Sequence, residues 1–149
     1  MMTTWTRWNT QIHDFLFSTQ SVFLLAFRLW VAWVFFKSGL IKLQSWDVTV
    51  ELFSYEYAVP LLPSLIAALM ATSIELLLPP LLALGLMSRT VAFILFLFNI
   101  IAAISYPDMS AAGLKDHQLW GLVLLWVFLQ GAGLFSLDKL IVHSSRLRK

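Results

Sequence analysis

The chain has 149 residues, of which 60% are hydrophobic and only 12% charged, with a formal net charge of +2 and a mean hydropathy of +0.82. A soluble domain of this size carries about 25% charged residues, so an ordinary water-soluble globule and a disordered chain are both excluded, and the main solvent is lipid. The absence of cysteine removes disulfides, thiol chemistry, Cys-ligated zinc, iron–sulfur clusters and covalent haem attachment.

Residues 1–20 form a polar leader that contains Arg7, His13 and Asp14, and no A-x-A-like cleavage site follows the first apolar run. Within the leader, Trp5, Trp8, Ile12, Phe15 and Leu16 fall on one helical side, which predicts a short helix lying in the cytoplasmic membrane interface. A membrane domain follows over 21–138, with spans expected at about 22–43, 62–87, 89–106 and 119–137. A helix rises about 1.5 Å per residue, so runs of ~20 residues cross a hydrocarbon core of ~30 Å. Pro63 marks the true start of the second span. Residues 139–149 make a basic tail. The runs are continuous rather than alternating, which argues against a β-barrel. The expected fold is all-α, a four-helix transmembrane bundle.

The basic residues set the expected direction. Arg7, Arg89, Lys139, Arg146, Arg148 and Lys149 fall on one side of such a bundle, against Lys42 and Lys115 on the other, with Lys37 near that end of the first span. The positive-inside rule then places both termini in the cytoplasm, with the loops 44–60 and 107–118 facing outward. Bases distributed in this way orient a membrane protein and give no nucleic-acid surface.

Three ionisable residues lie inside the spans: Arg28 and Lys37 in the first and Glu75 in the second. Intramembrane charges turn inward and pair, because an isolated one costs roughly 2.5–3.5 kcal/mol at the bilayer centre. Arg28, Ala32, Phe35, Gly39 and Lys42 share one face, whereas Lys37 is half a turn out of phase and snorkels to the outer interface. Glu75 shares a face with Ala68, Ala71 and Thr72, and Arg28 is its expected partner. Pro79 and Pro80 have no N–H, so they predict a kink that frees the carbonyls of Glu75 and Leu76. Two readings of the Arg28–Glu75 pair stay open: a polar pocket for protons or a headgroup, and a salt bridge that fixes helix packing.

Asn99 reads as hydrogen-bond glue between helices. Lys42, Asp116 and His117 form a second candidate group at the outer mouth, and Arg89 reads as a turn or headgroup anchor. Trp30, Trp33 and Trp126 lie deep enough to pack in the bundle or stack on a quinone ring. His13 and His143 fall on the opposite side from His117, which leaves no bis-histidine haem and no metal set. The sequence contains no nucleophile–base arrangement and no phosphate loop, so no catalytic residue is assigned and an autonomous enzyme is not supported.

Arg28 followed by Gly39-Leu-Ile-Lys42, then Ala71-Thr-Ser-Ile-Glu75, Pro79, Leu84-Gly85-Leu86 and Arg89, and finally Gly131-Ala-Gly-Leu-Phe-Ser-Leu-Asp138, resembles the signature of the DoxX family of small four-span bacterial inner-membrane proteins. The resemblance runs from about Arg28 to Leu140. Tyr55-Glu-Tyr-Ala-Val-Pro60, Ile104-Ser-Tyr-Pro-Asp108 and Lys115-Asp-His-Gln-Leu-Trp-Gly121 look like one proteobacterial branch, often associated with systems that make metal-binding peptides. Ala132 replaces the family's usual proline, and Gln130 stands where that branch often carries histidine.

The resemblance implies a bacterial inner-membrane location and a subunit of a quinone-associated or otherwise redox-linked system, with quinone as the candidate cofactor. Expected partners are the lipid bilayer and other membrane or periplasmic proteins, with a homo-oligomer also compatible. The alternative it implies is a non-enzymatic scaffold for the maturation or export of a metal-binding peptide.

Overall fold

Six helices make up the computed structural model, which describes residues 4–59 and 61–146, with side chains described over 19–59 and 61–141. They are α1 (Thr4–Gln44), α2 (Trp46–Tyr55), α3 (Ser64–Leu84), α4 (Ser88–Ile104), α5 (Ala111–Gln130) and α6 (Leu137–Arg146). The described residues contain no strand. The Thr19–Gln44 part of α1 and the whole of α3 are long and apolar enough to cross a membrane, and α4 is a shorter apolar helix.

The helix limits follow from local chemistry. α3 starts directly after Pro63 and runs without interruption through Pro79 and Pro80. It stops at Gly85, whose φ of 71° is a left-handed conformation that glycine adopts without steric cost. The Leu86 amide closes that end on the Leu81 carbonyl at 2.9 Å. α5 begins well before the apolar run at 119, because Ser110 Oγ accepts from the Gly113 amide at 3.1 Å and caps a polar first turn. It ends at Gln130 because Gly131 turns the chain at φ 82°. The fourth span expected at 119–137 is therefore shifted: residues 131–136 are non-helical, and Leu137 already belongs to α6.

Two further expectations change. The helix expected in the leader is not a separate element but the start of α1; its aromatic face, like His13 and the tail side chains beyond Ile141, lies outside the described side chains. The connection 44–60, read as a loop, contains α2, which packs on α3 and on the end of α1.

α1, α3, α4 and α5 pack in a closed ring, with contacts α1–α3, α3–α4, α4–α5 and α5–α1. One end of this ring carries the α3–α4 turn and the α5–α6 junction; the other carries α2. The ring has the polarity of a protein in hydrocarbon. Arg28 (1% exposed), Asn99 (3%) and Glu75 (5%) are inside, while Leu77 (67%), Leu122 (66%) and Trp33 (59%) face out. Water-soluble monomers do not expose contiguous apolar surface on this scale.

Candidate functional site

Arg28 and Glu75, expected as a pair, sit at different depths. Arg28 lies at the turn end, where its guanidinium donates to the Ala132 carbonyl, to Phe135 O at 2.8 Å and to Ala83 O at 3.2 Å. Gly85 makes room for it, since a Cβ there would lie 2.7 Å from Arg28 Nη1. Glu75 lies ten residues before Gly85 in α3, which at 1.5 Å per residue puts it about 15 Å further along the bundle. That separation breaks the expected pair. Arg28 instead ties the α5–α6 junction to the end of α3.

The same junction is fastened by Asp138. Its carboxylate accepts from the Met87 amide at 2.8 Å and the Ser88 amide at 3.0 Å, satisfying two of the donors that open α4. Its own amide donates to Gly85 O at 3.0 Å. Arg89 stands exposed in the first turn of α4, with Nη2 3.4 Å from Leu129 O.

The partner of Glu75 is Lys42. Lysine side chains on a helix lean toward its N-terminus, so Lys42, near the end of α1, reaches back into the bundle. Its Nζ lies 2.7 Å from Glu75 Oε2, 2.9 Å from Oε1 and 2.8 Å from Ser38 Oγ, one turn earlier. Ser38 in turn donates to Glu75 Oε1 at 3.2 Å. Gly39 permits this approach of α1 to α3: a Cβ there would be 2.9 Å from Glu75 Cβ and 3.1 Å from the Glu75 carbonyl carbon. Thus Lys42 belongs to an intramembrane-type ion pair rather than to a mouth group with Asp116, which is exposed.

This cluster forms part of the wall of a cavity of about 620 Å³ among α1, α3, α4, α5 and residues Phe53, Tyr57, Val59 and Leu62. Phe98 and Trp120 line it as well. Trp33, Ile41, Met70 and Ile101 line it and are also exposed. His117 is on its α5 wall, linked to α4 by reciprocal contacts: Asn99 Nδ2 donates to His117 O at 2.8 Å, and His117 Nδ1 lies 2.9 Å from Asn99 Oδ1. At the α2 end, the Tyr57 and Tyr106 rings are 5.3 Å apart, and Ser105 Oγ is buried without a hydrogen-bond partner among the described residues. Burial pushes the Tyr57 phenol above its ordinary range, with Tyr106, Glu56 and Glu75 adding to the shift, so it remains a neutral hydroxyl at neutral pH.

Sequence patterning put Lys42 on the buried face of α1 and Glu75 on that of α3, but it missed Ser38, Tyr57 and Ser105. The serine had a readable signal, since it lies one turn before a lysine on the same side. Tyr57 and Ser105 fall within the Tyr55–Pro60 and Ile104–Asp108 motifs, but nothing in those motifs placed them together beside the buried ion pair.

A family model, DoxX, matches residues 23–107. The chain is also 34% identical over 127 residues to an uncharacterised protein of Haemophilus influenzae, a match that covers 80% of this chain and 83% of that protein. No solved structure matches it.

Proposed function

We propose, for a chain that belongs to the DoxX family of membrane proteins, that it is an inner-membrane subunit of a quinone-associated, redox-linked system and acts with partner proteins. On this reading α1, α3, α4 and α5 are four spans, both termini are cytoplasmic, and α2 lies at the periplasmic surface.

The observation that carries the proposal is the cavity: largely apolar, set among helices whose outer faces are apolar, and holding the Lys42–Ser38–Glu75 cluster in its wall. A pocket of this size and lining suits a small molecule with an apolar body and a polar head. A bundle with an apolar outer face favours a ligand dissolved in the bilayer. A quinone-class ring fits the lining. Phe53 and Trp120 are aromatic, and Tyr57 and Tyr106 carry hydroxyls. Such a ring, when bound, carries two electrons and two protons between partners in the membrane. The Lys42–Glu75 ion pair, with Ser38, is the group assigned to hold or pass a proton beside such a ring. Electron supply is assigned to a partner protein.

Photolabelling of native membranes with an azido-quinone tests this. Labelled peptides from α1, α3 and the 53–59 segment are expected, with labelling suppressed by excess unlabelled quinone. Labelling that is not displaced, or that is confined to lipid-facing positions such as Leu77 and Leu122, contradicts the proposal.

A second reading, the scaffold for a peptide maturation or export pathway, is favoured by Tyr55 (85% exposed) and by the fully exposed Leu61. These residues place apolar surface beside α2, outside the long helices. A folded Lys42→Met, Glu75→Leu double variant separates the two: a scaffold keeps its cellular function, whereas a quinone subunit loses it.

A further inference from the structure

The hydrogen-bond inventory of the cavity bears on which form of a ring it takes, an inference that rests on the cavity being a ligand site. Lys42 has three N–H hydrogens and faces three protein acceptors, Ser38 Oγ and the two Glu75 oxygens. The ion pair is therefore satisfied within the protein. The polar atoms left over are elsewhere in the lining. The Ser105 hydroxyl has no partner among the described residues, but its oxygen is closed off from the cavity. His117 has an uncommitted Nε2, since among the described residues its ring bonds only Asn99, and through Nδ1.

The contacts of Asn99 settle the state of that ring. Its Nδ2 donates to the His117 carbonyl, so the amide atom facing the imidazole is Oδ1. An amide oxygen only accepts, so Nδ1 carries the hydrogen and, in the neutral ring, Nε2 keeps its lone pair. The reverse amide orientation would set two oxygens against each other at 2.8 Å. Trp120 stands edge-on to the imidazole, with centroids 4.9 Å apart, and lines the same cavity. A ring hydroxyl donates to Nε2. A ring bearing only carbonyls sets lone pair against lone pair and leaves a partly buried acceptor unsatisfied.

We propose that His117 makes the cavity selective for a hydroxyl-bearing ring, a lipid-soluble hydroquinone or phenol, over the carbonyl-only quinone, with Asn99 as the positioning residue that fixes the tautomer.

The test uses the full chain in nanodiscs under anaerobic conditions, titrated with a short-chain ubiquinol and with the matching ubiquinone. The quinol is expected to bind about tenfold more tightly, the effect of one hydrogen bond to an otherwise unsatisfied group. That preference disappears in His117→Phe, where no unsatisfied acceptor faces the quinone carbonyl. A second measurement needs no variant that perturbs the fold: ¹⁵N-histidine spectra of the wild type at neutral pH are expected to show His117 protonated at Nδ1 and bare at Nε2. Equal affinity for the two redox forms, or any other protonation pattern, overturns the selectivity and leaves the cavity reading in place. Failure of both rings to bind overturns the two together.

Discussion

At the residue scale, Glu75 and Lys42 are interdependent. Lys42 is 19% exposed at its side chain and Glu75 6%, so neither has enough water to carry its charge alone. Removing one partner of such a pair costs about 3–5 kcal/mol, whereas replacing both with apolar residues of similar volume is close to neutral. Glu75→Ala is therefore expected to lose stability on that order in thermal unfolding in detergent, and adding Lys42→Met is expected to recover most of it. If the single variant is as stable as wild type, the ion pair is not as described. Arg28→Lys tests the other polar centre. A lysine ammonium lacks the planar fork that reaches three carbonyls from two chain segments, so the variant is expected to lose about 1–3 kcal/mol, with quinone binding at the distant cavity intact. The sequence made both buried charges visible, since charges in apolar runs stand out. It did not show which partners met, because opposite sign on neighbouring spans ignores depth. Counting ten residues back from the Gly85 turn places Glu75 about 15 Å from Arg28's level, and the lean of Lys42 toward the start of its helix supplies the partner instead.

At the scale of elements, the α1–α3 crossing depends on Gly39. A leucine there would bring a side chain into the Glu75 Cβ and backbone, which have nowhere to yield. Gly39→Leu is expected to cost about 1–3 kcal/mol by overpacking, or to push the helices apart with loss of the Lys42–Glu75 pair. Gly113→Ala is the matched control. Its nearest neighbour is the flexible Met109 side chain, with Cγ 3.2 Å away, and little change in melting temperature is expected. The α3–α4 turn offers a second test, since Asp138 satisfies two amides at the start of α4. Asp138→Ala is expected to lose about 1–2 kcal/mol, seen as faster amide exchange at Met87 and Ser88; unchanged exchange there contradicts the capping role. The helical spans themselves were legible from continuous apolar runs. The limits of α5 were not, because hydropathy follows the apolar centre of a helix, whereas Ser110 and Gly131 set its ends. α2 was hidden for a related reason: it is short, mixed in polarity and held by packing on α3, so its sequence reads as loop.

At the scale of the whole molecule, the distribution of polarity is the reverse of that in a soluble protein, with arginine, glutamate and asparagine inside and leucine and tryptophan outside. That arrangement bears on the cavity, since the ligand proposed for it is one dissolved in lipid rather than in water. The proposed direction is testable in this chain without background, because it contains no cysteine. Asp108→Cys, between α4 and α5, is expected to react with a membrane-impermeant maleimide in spheroplasts, and Thr90→Cys, at the opposite end, only after permeabilisation; the reverse pattern inverts the proposed topology. The central claim is that the cavity holds a quinone-class molecule. Native mass spectrometry of the protein released gently from its own membranes tests it most directly. The account predicts a stoichiometric adduct of quinone or quinol mass. A bare chain would contradict it.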